Sequence, residues 1–336
     1  MKLAMLAPIA WRTPPRKYGP WEQVASNLTE GLIKQGIDVT LFATADSITK
    51  GRLRYSALRG YAEDPSLDAK VEECLHISEV MEAAADFDII HNHFDFLPLT
   101  YSRLIHTPMV TTIHGFSSPK IIPVYKKYNR HCFYVSISDA DRSPELDYIA
   151  TVYNGIATSQ FQFVANPKSY LLYFGRIHPE KGAHLAIEVA KRSAMPLIIA
   201  GLVQDEHYFS TYILPHVNGK QIQYVGNVGP AERNRLLGDA AALLHLIAFD
   251  EPFGLSVAEA MLCGTPVVAM DRGSMPELLR HGQTGFLVNS VDEAIQAIAG
   301  IHSLSRNDCL KWARSKFTQE KMTADYIAVY RRILAL

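Results

Sequence analysis

Short apolar runs alternate with longer amphipathic stretches along the whole chain. The short runs are rich in β-branched and aromatic residues, and in the longer stretches apolar residues recur with helical spacing. This alternation is typical of right-handed βαβ units, in which helices cover parallel sheets. The pattern therefore predicts an α/β protein. The predicted strands are Leu3–Ile9, Asp38–Ala43, Phe87–His91, Met109–Ile113, Phe133–Ile137 and a short Thr151–Tyr153 in the first half, and Tyr170–Phe174, Leu197–Ala200, Gln223–Val225, Leu243–Leu246 and Pro266–Ala269 in the second.

The length of the chain and one polar segment predict two domains. A chain of 336 residues exceeds the size at which a single hydrophobic core stops growing. The segment Thr158–Ser169 is polar and lies between the two groups of strands, so we expect it to be a linker. The predicted domains are residues 1–157 and 168–314, and a further helical pattern runs from Leu310 to Ile333.

Composition and charge exclude several classes of protein. Hydrophobic residues make up 48% of the chain, charged residues make up 20%, and the mean hydropathy is near zero, as in soluble globular proteins. A formal net charge of −1 argues against nucleic acid as a partner, because nucleic-acid-binding proteins normally carry a basic excess. No apolar run approaches the ~20 residues of a membrane helix. We interpret Leu3–Ala10 as a buried first strand rather than a signal peptide.

Two smaller features bear on location and on membrane contact. The cysteines form no CxxC pair, indicate neither a disulfide framework nor a zinc site, and fit a reducing cytoplasm; they are Cys74, Cys132, Cys263 and Cys309. A local basic cluster predicts a solvated helix face and at most weak peripheral contact with an anionic membrane; it comprises Lys120, Lys126, Lys127 and Arg130.

The segment from Glu251 to Glu259 carries the most informative chemistry. It places two carboxylates eight positions apart, one in a Pro/Gly turn and one inside an apolar helix. The backbone N–H groups of residues 253–255 open that helix, and such unpaired amides attract an anion. Gly254 removes a side chain where a ligand approaches the backbone. Taken alone, an ordinary surface helix with acidic residues at its start fits the segment equally well.

A loop with two cations lies upstream of that segment. The predicted strand Tyr170–Phe174 runs into a loop that carries Arg176 and Lys181, with Gly182 before the next helix. Two cations in this place suit a departing diphosphate, because they stabilise the negative charge that develops on it. A solvated loop would also carry both charges, so it is the combination with the anion-binding turn that favours a phosphate site.

Together these segments resemble the family 4 glycosyltransferases, retaining and nucleotide-sugar-dependent enzymes of the GT-B fold. The resemblance runs nearly from end to end and rests on residues 176–182, 201, 224–226, 251–259, 264–268, 276–277 and 282–288 in the second half, and on residues 18–28, 88–93, 112–115, 136–138 and 153–156 in the first. It implies two Rossmann-like domains that face each other across a cleft. It also implies that the last helix, about residues 315–336, crosses back to complete the first domain.

The resemblance assigns expected roles in donor binding to the second domain. Arg176 and Lys181 would contact the diphosphate, Glu251 the hexose and Glu259 the ribose. The amides of Phe253, Gly254, Leu255 and Ser256 would hold the distal phosphate. The backbone of Gly226, Asn227 and Val228 would meet the base.

In the first domain the resemblance places His114 on the donor sugar, with Gly19, Trp21 and Glu22 along the acceptor side of the cleft. His114 follows a predicted strand, at the sheet edge where α/β proteins bind ligands. The family usually has a second glycine where this chain has Pro20, which has no N–H to offer a phosphate. Direct phosphate contact by this loop is therefore not expected.

We expect no metal and no cofactor, with the sugar nucleotide acting as substrate. His91 and His93 share a strand face but lack a third ligand nearby in sequence, and two Asp-x-Asp triplets, residues 86–88 and 139–141, are interpreted as structural. The cations and helix amides described above would neutralise the diphosphate without a metal ion.

The predicted activity is transfer of a hexose to an acceptor hydroxyl, with UDP-glucose favoured as donor and GDP-mannose next. The acceptor stays open between a sugar, a glycan and a small metabolite. Two alternatives also stay open, a nucleotide-sugar epimerase on the same fold and a non-catalytic sugar-nucleotide-binding protein, since a fold alone does not decide activity.

Overall fold

A computed structural model describes residues 1–116 and 118–336, and the elements given below are those of this part of the chain. The chain divides into two compact units. Unit 1 comprises Met1–Gly155 and Gln319–Leu336, and unit 2 comprises Ile156–Thr318. Each unit contains its own parallel sheet with helices, so the predicted α/β architecture is confirmed.

Unit 1 is built on a sheet of seven parallel strands in the order β3-β2-β1-β4-β5-β6-β7. The interior strand β1 is apolar from residue 3 to residue 6 and fully buried there, as expected for a parallel strand covered on both faces. The strands are β1 Lys2–Leu6, β2 Asp38–Phe42, β3 Arg52–Arg54, β4 Ile89–Asn92, β5 Met109–Ile113, β6 Phe133–Ser136 and β7 Tyr148–Thr151.

The helices of unit 1 include the last one in the chain. They are α1 Pro20–Lys34, α2 Ala69–Glu82, α3 Ile122–Tyr128 and α11 Gln319–Leu334. Helix α1 begins at Pro20, which suits the first helical position because its missing N–H has no partner there. Helix α11 packs against α1 so closely that a Cβ atom at Gly31 would lie 2.1 Å from Oγ1 of Thr323. The last helix therefore completes unit 1.

Unit 2 is built on six parallel strands in the order β10-β9-β8-β11-β12-β13. The strands are β8 Leu171–Phe174, β9 Leu197–Ala200, β10 Ile222–Tyr224, β11 Ala242–His245, β12 Val267–Met270 and β13 Gly285–Val288. The helices are α4 Ala183–Arg192, α5 Glu206–Tyr208, α6 Pro230–Asp239, α7 Leu255–Leu262, α8 Met275–Leu278, α9 Val291–Gly300 and α10 Arg306–Lys316.

Three strands differ from the sequence pattern. The pattern does not predict β3 or β13, and the strand predicted at Thr151–Tyr153 lies earlier, as β7. All three are edge strands that pair on one side only, so they need no continuous apolar run. Within the described ranges, no helix is both long and apolar enough to span a membrane.

Candidate active site

The loop that follows β8 is fixed against the end of β11. It carries Lys181 and ends at Gly182, whose φ of 73° lies in the left-handed region. A Cβ atom at Gly182 would lie 1.8 Å from the carbonyl oxygen of Leu246, so only glycine permits this close approach. The N–H of Ala248 also donates to the carbonyl oxygen of Glu180 at 2.7 Å. These backbone contacts bring Lys181 to the residues that follow β11.

Lys181 forms a charged cluster with two further residues. Its Nζ donates to Oε2 of Glu251 at 2.5 Å, and it lies 4.5 Å from the ring centre of Phe249. Nε2 of His245, the last residue of β11, lies 3.5 Å from the same Glu251 oxygen, which is long for a hydrogen bond. The side chains of Lys181, Glu251 and His245 are 15%, 12% and 8% exposed.

This cluster keeps Glu251 ionised. Burial by itself raises the pKa of Glu251, but the proximity of His245 and the charge of Lys181 outweigh it and lower the pKa to about 2. A buried carboxylate is stable only with such partners. Glu251 therefore presents a fixed negative charge, next to a cation, at the carboxyl edge of the unit 2 sheet.

Helix α7 begins directly after Glu251 and leaves several backbone N–H groups unpaired. Gly254 caps the helix with a φ of 91°. In the part of the chain that the structure describes, the N–H groups of Gly254, Leu255 and Ser256 donate to no acceptor. The carbonyl oxygen of Phe253 accepts a hydrogen bond from Oγ of Ser274 at 2.8 Å, which holds the turn against the loop after β12. The start of α7 is thus a rigid set of donors that suits an anion.

Glu259 is buried on α7 and is paired inside the protein. Its Oε1 lies 3.3 Å from Nη1 of Arg233 on α6, and the whole residue is 4% exposed. Burial raises the pKa of Glu259, and the charge of Arg233 opposes that rise. The guanidinium of Arg233 also lies 5.4 Å from the ring centre of Phe161. Without ligand, Glu259 therefore has an internal cationic partner.

Arg176 has a different partner from Lys181, although both lie on the same loop. Its Nη1 donates to the side-chain oxygen of Gln204, and its carbonyl oxygen accepts from the hydroxyl of Tyr173 at 2.6 Å. Tyr173 is buried, which raises its pKa, and both Arg176 and Glu251 lie near enough to perturb it. The two predicted cations thus bind separate acceptors, Gln204 and Glu251.

The loop predicted to meet the base follows β10. Gly226 has a φ of 79°, and its carbonyl oxygen accepts from the N–H of Gly201 at 2.9 Å, which joins the loops after β9 and β10. Val228 is buried, whereas Asn227 is partly exposed. Among the described residues, the side chain of Asn227 has no hydrogen-bond partner, so its amide is available to a ligand.

In unit 1, the predicted residues gather around His114, which follows β5. The ring of Trp21, in the first turn of α1, stacks on His114 with ring centres 5.3 Å apart and an angle of 21° between planes. Nε2 of His114 lies 2.9 Å from Nδ1 of His93, which follows β4. Burial lowers the pKa of His114 to about 3, so its ring is neutral.

Glu22 follows Trp21 in the first turn of α1 and is buried. Its Oε1 accepts a hydrogen bond from the N–H of Trp11 at 3.2 Å. Burial raises the pKa of Glu22 to about 7, although hydrogen bonds from backbone N–H groups oppose the rise. Gly19 caps the helix, and a Cβ atom there would lie 2.8 Å from Cβ of Pro15. Gly19, Trp21 and Glu22 are therefore held together at one helix terminus.

Both ring nitrogens of His91 are engaged in hydrogen bonds. His91 contacts the hydroxyl groups of Tyr330 and Thr112 at 2.6 and 2.7 Å. Within residues 1–116 and 118–336, no three His, Cys, Asp or Glu side chains are grouped so as to hold a metal ion.

Two residues of the candidate site have no signal in the sequence. His245 ends an apolar strand and Arg233 lies in a polar helix, so each has an ordinary structural explanation when seen alone. Their contacts with Glu251 and Glu259 depend on how the strands and helices of unit 2 come together. Only the charge of the two glutamates, which requires buried partners, points to cations nearby.

Two family models match the chain in succession. The model described as Glycosyltransferase Family 4 matches residues 21–160, and the model described as Glycosyl transferases group 1 matches residues 157–321. A glycogen synthase of Mycobacterium tuberculosis is 28% identical over 272 residues, which cover 71% of this chain. The chain spans 65% of the length of that relative.

Solved structures share the fold over the full length of the chain. AviGT4, a glycosyltransferase involved in avilamycin A biosynthesis, is 22% identical with a TM-score of 0.74, and the match covers 100% of this chain and 98% of AviGT4. HepE of Anabaena, solved in complex with UDP-glucose, is 17% identical with a TM-score of 0.74, and the match covers 99% of this chain and 100% of HepE.

Proposed function

The chain belongs to the family 4 glycosyltransferases of the GT-B fold, and on this premise we propose that it transfers a hexose from a nucleotide-diphosphate sugar to an acceptor hydroxyl. One observation carries the proposal. The ion pair of Lys181 and Glu251 lies next to the unpaired amides of Gly254, Leu255 and Ser256, at the carboxyl edge of a parallel sheet. Ligands of α/β proteins bind at this edge.

The charges of this site suit both parts of a sugar nucleotide. The amides at the start of α7 hold the distal phosphate, and Lys181 and Arg176 stabilise the charge that develops on the diphosphate as it leaves. Glu251, a fixed carboxylate, accepts hydrogen bonds from hexose hydroxyl groups. Glu259 accepts from the ribose hydroxyl groups in the same way, and Gly226, Asn227 and Val228 lie along the base.

We propose that the reaction retains the anomeric configuration and needs no metal ion. The acceptor oxygen forms a bond to the anomeric carbon on the face from which the diphosphate departs. The departing phosphate oxygen takes the acceptor proton, so no protein side chain has to remove it. Lys181, Arg176 and the helix amides supply the positive charge that a metal ion provides in other enzymes.

UDP-glucose is the favoured donor and GDP-mannose is the next. The complex of HepE with UDP-glucose supports this order, since HepE shares the fold along 99% of this chain. In unit 1, His114 contacts the donor sugar, while Gly19, Trp21 and Glu22 line the site of the acceptor.

A thermal-shift panel of UDP, GDP and ADP tests the donor assignment. A ligand present at 100 times its Kd stabilises the folded protein by ~2.7 kcal/mol, so the preferred base gives the largest shift. The Glu259→Ala variant should bind the preferred diphosphate about 10 to 100 times more weakly, because it removes the acceptor and hydrogen bonds to a charged acceptor are worth ~1.5–3 kcal/mol. Glu188→Ala is the matched control, since Glu188 lies on the exposed face of α4.

Product analysis separates transfer from the two alternatives. Incubation with the bound donor and a mixture of acceptors in EDTA should give a glycoside, whose anomeric configuration is read by NMR. Conversion of the donor to its epimer without acceptor would instead indicate an epimerase. Binding without any turnover would indicate a non-catalytic protein, and an absolute need for Mg²⁺ or Mn²⁺ would contradict metal independence.

A further inference from the structure

His93 and His114 share a buried hydrogen bond in unit 1. Nδ1 of His93 and Nε2 of His114 lie 2.9 Å apart. His93 is 0% exposed and His114 is 8% exposed. Burial lowers the pKa of both rings, and the neighbouring histidines lower that of His93 further, so both rings are neutral. A neutral imidazole has one N–H and one lone pair, so a single proton lies between the two rings.

The two possible positions of that proton differ in what they leave at Nε2 of His93. This atom is buried and has no hydrogen-bond partner among the described residues. If His114 donated to His93, the proton of His93 would be at Nε2, as a buried N–H without an acceptor. If His93 donates to His114, Nε2 of His93 carries only a lone pair. An unpaired buried N–H is the rarer and more costly of the two.

The same choice decides what His114 presents to a ligand. When Nε2 of His114 accepts from His93, its own proton must be on Nδ1. Within the described chain Nδ1 of His114 has no hydrogen-bond partner, yet it is not among the fully buried unpaired atoms, so it retains access to solvent. The stacked ring of Trp21 fixes the plane of His114 and therefore the direction of that N–H.

We propose that His93 is a positioning residue that holds His114 in the tautomer with its proton on Nδ1, so that His114 offers the donor sugar an N–H. This rests on the proposed function in one respect, that His114 contacts the sugar. The group recognised is then an oxygen that accepts a hydrogen bond, such as a hexose hydroxyl. His91 packs against His93, with the two ring centres 4.2 Å apart. The hydrogen bonds of His91 with Tyr330 and Thr112 hold its own ring in place.

Nitrogen-15 NMR of histidine-labelled, ligand-free protein tests the tautomer directly. We expect the wild-type spectrum to show His114 protonated at Nδ1 and His93 protonated at Nδ1. His93→Asn keeps an amide donor near the position of Nδ1 and should preserve the His114 signal. His93→Leu removes the donor, and the proton of His114 should then move to Nε2. A wild-type His114 protonated at Nε2 would overturn the proposal without any variant.

A buried histidine elsewhere in unit 1 supplies the matched control. His76 is fully buried and contacts the carbonyl oxygen of Ala7 through Nε2, with no contact to His114. His76→Leu should lower stability as much as His93→Leu does and leave the tautomer of His114 unchanged. If His76→Leu moves the His114 proton as well, the effect is general loosening and the proposal fails.

Donor kinetics then connect the tautomer to the reaction. His93→Leu should weaken use of the donor by about 2- to 10-fold, the range of one hydrogen bond between neutral groups, and His93→Asn should restore most of it. If the NMR result stands but His114→Leu uses the donor as well as wild type, the tautomer is correct and the role of His114 in the proposed function is wrong. If donor use falls equally in His93→Leu and His93→Asn although NMR shows the tautomer kept in the latter, the positioning role is overturned.

Discussion

The ammonium group of Lys181 lies between a carboxylate and an aromatic ring, where a diphosphate would compete for it. A preorganised cation that faces developing charge is worth ~2.7–4 kcal/mol, so Lys181→Ala should lower turnover by about 10² or more. The effect should appear in kcat, because the charge on the leaving group is greatest in the transition state. Steady-state kinetics with the preferred donor measure it.

Lys191→Ala is the control for this variant. Lys191 lies on α4, is exposed and contacts only His216 among the described residues, at 2.9 Å. The Lys191→Ala variant should retain wild-type turnover. Wild-type turnover in folded Lys181→Ala would contradict the assigned role of Lys181.

The sequence and the structure contribute different parts of the candidate site. Local sequence patterns point to three of its residues, Glu251, Glu259 and Lys181. The patterns are a Pro/Gly turn before an apolar helix and a cation directly before a glycine. The pairing of Lys181 with Glu251 joins residues 70 positions apart and depends on the contact between the loop after β8 and the end of β11. His245 and Arg233 belong to that second class, which local patterns do not reveal.

At the scale of elements, Gly182 fixes the loop between β8 and α4. Gly182→Ala should be destabilising for two reasons, its φ of 73° and the 1.8 Å separation of a Cβ atom from the carbonyl oxygen of Leu246. Gly219→Ala isolates the first reason, because Gly219 has a φ of 69° and nothing within 4 Å of a Cβ atom. A backbone residue held in an unfavourable region costs ~1–3 kcal/mol.

Chemical denaturation and activity assays should therefore separate the two glycine variants. Gly182→Ala should lose more stability than Gly219→Ala and should also lose turnover, because the loop that carries Lys181 must move. Equal losses of stability together with unchanged turnover in both would mean that the Leu246 contact does not position Lys181.

The start of α1 predicts a dependence of stability on pH. Glu22 has a pKa of about 7 in the folded state against 4.5 in a model peptide. Between these values the folded state keeps a proton that the unfolded state has released, so the free energy of unfolding falls as pH rises. A pKa difference of ~2.5 units corresponds to roughly 3 kcal/mol in the free energy of unfolding. This contribution is fully present below pH ~4.5 and is lost as the pH rises through ~7.

Glu22→Gln should lack this loss, because its side chain does not ionise. Its free energy of unfolding relative to wild type should rise between pH 5 and pH 8, and urea denaturation at the two values measures the change. Glu82→Gln, at the exposed end of α2, should show no such trend. Parallel pH profiles for Glu22→Gln and wild type would show that Glu22 is ionised in the folded protein throughout this range.

The elements that the sequence predicts are those with strong apolar runs. The buried strands β5 and β9 have the predicted bounds. Strand β3 is not predicted, because it contains two arginines in three residues and pairs only with β2. Strand β13 is not predicted either, because it has only four residues and begins with Gly285, a residue type that is depleted in strands. Edge strands are determined by a neighbour and only weakly by their own sequence.

At the scale of the whole molecule, unit 1 depends on a helix from the far end of the chain. Helix α11 buries Met322, Tyr326, Tyr330 and Ile333 in unit 1. Removal of residues 319–336 should unfold unit 1, because these buried side chains are lost from its core. The truncation also leaves His91 and Thr112 without the tyrosine hydroxyl groups that they contact. A chain that ends at Leu334 is the control, since it lacks only the exposed Ala335 and Leu336.

Hydrogen exchange followed by mass spectrometry measures the effect of this truncation unit by unit. Peptides from residues 1–155 should lose protection, whereas those from residues 156–318 should keep it, since unit 2 is continuous and has its own core. Undiminished protection of residues 1–155 would mean that α11 is dispensable for unit 1.

The discontinuity of unit 1 also sets an order of events during synthesis on the ribosome. The 181 residues from 156 to 336 follow Gly155, and at ~5–20 residues per second their synthesis takes roughly 10–40 s. Throughout that time the surface of α1 around Gly31, which α11 later covers, has no partner. Unit 2 is complete before α11 is made, so the first half of the chain to leave the ribosome is the last to finish folding. A nascent chain of this protein therefore leaves this face of α1 exposed to solvent until α11 has been synthesised.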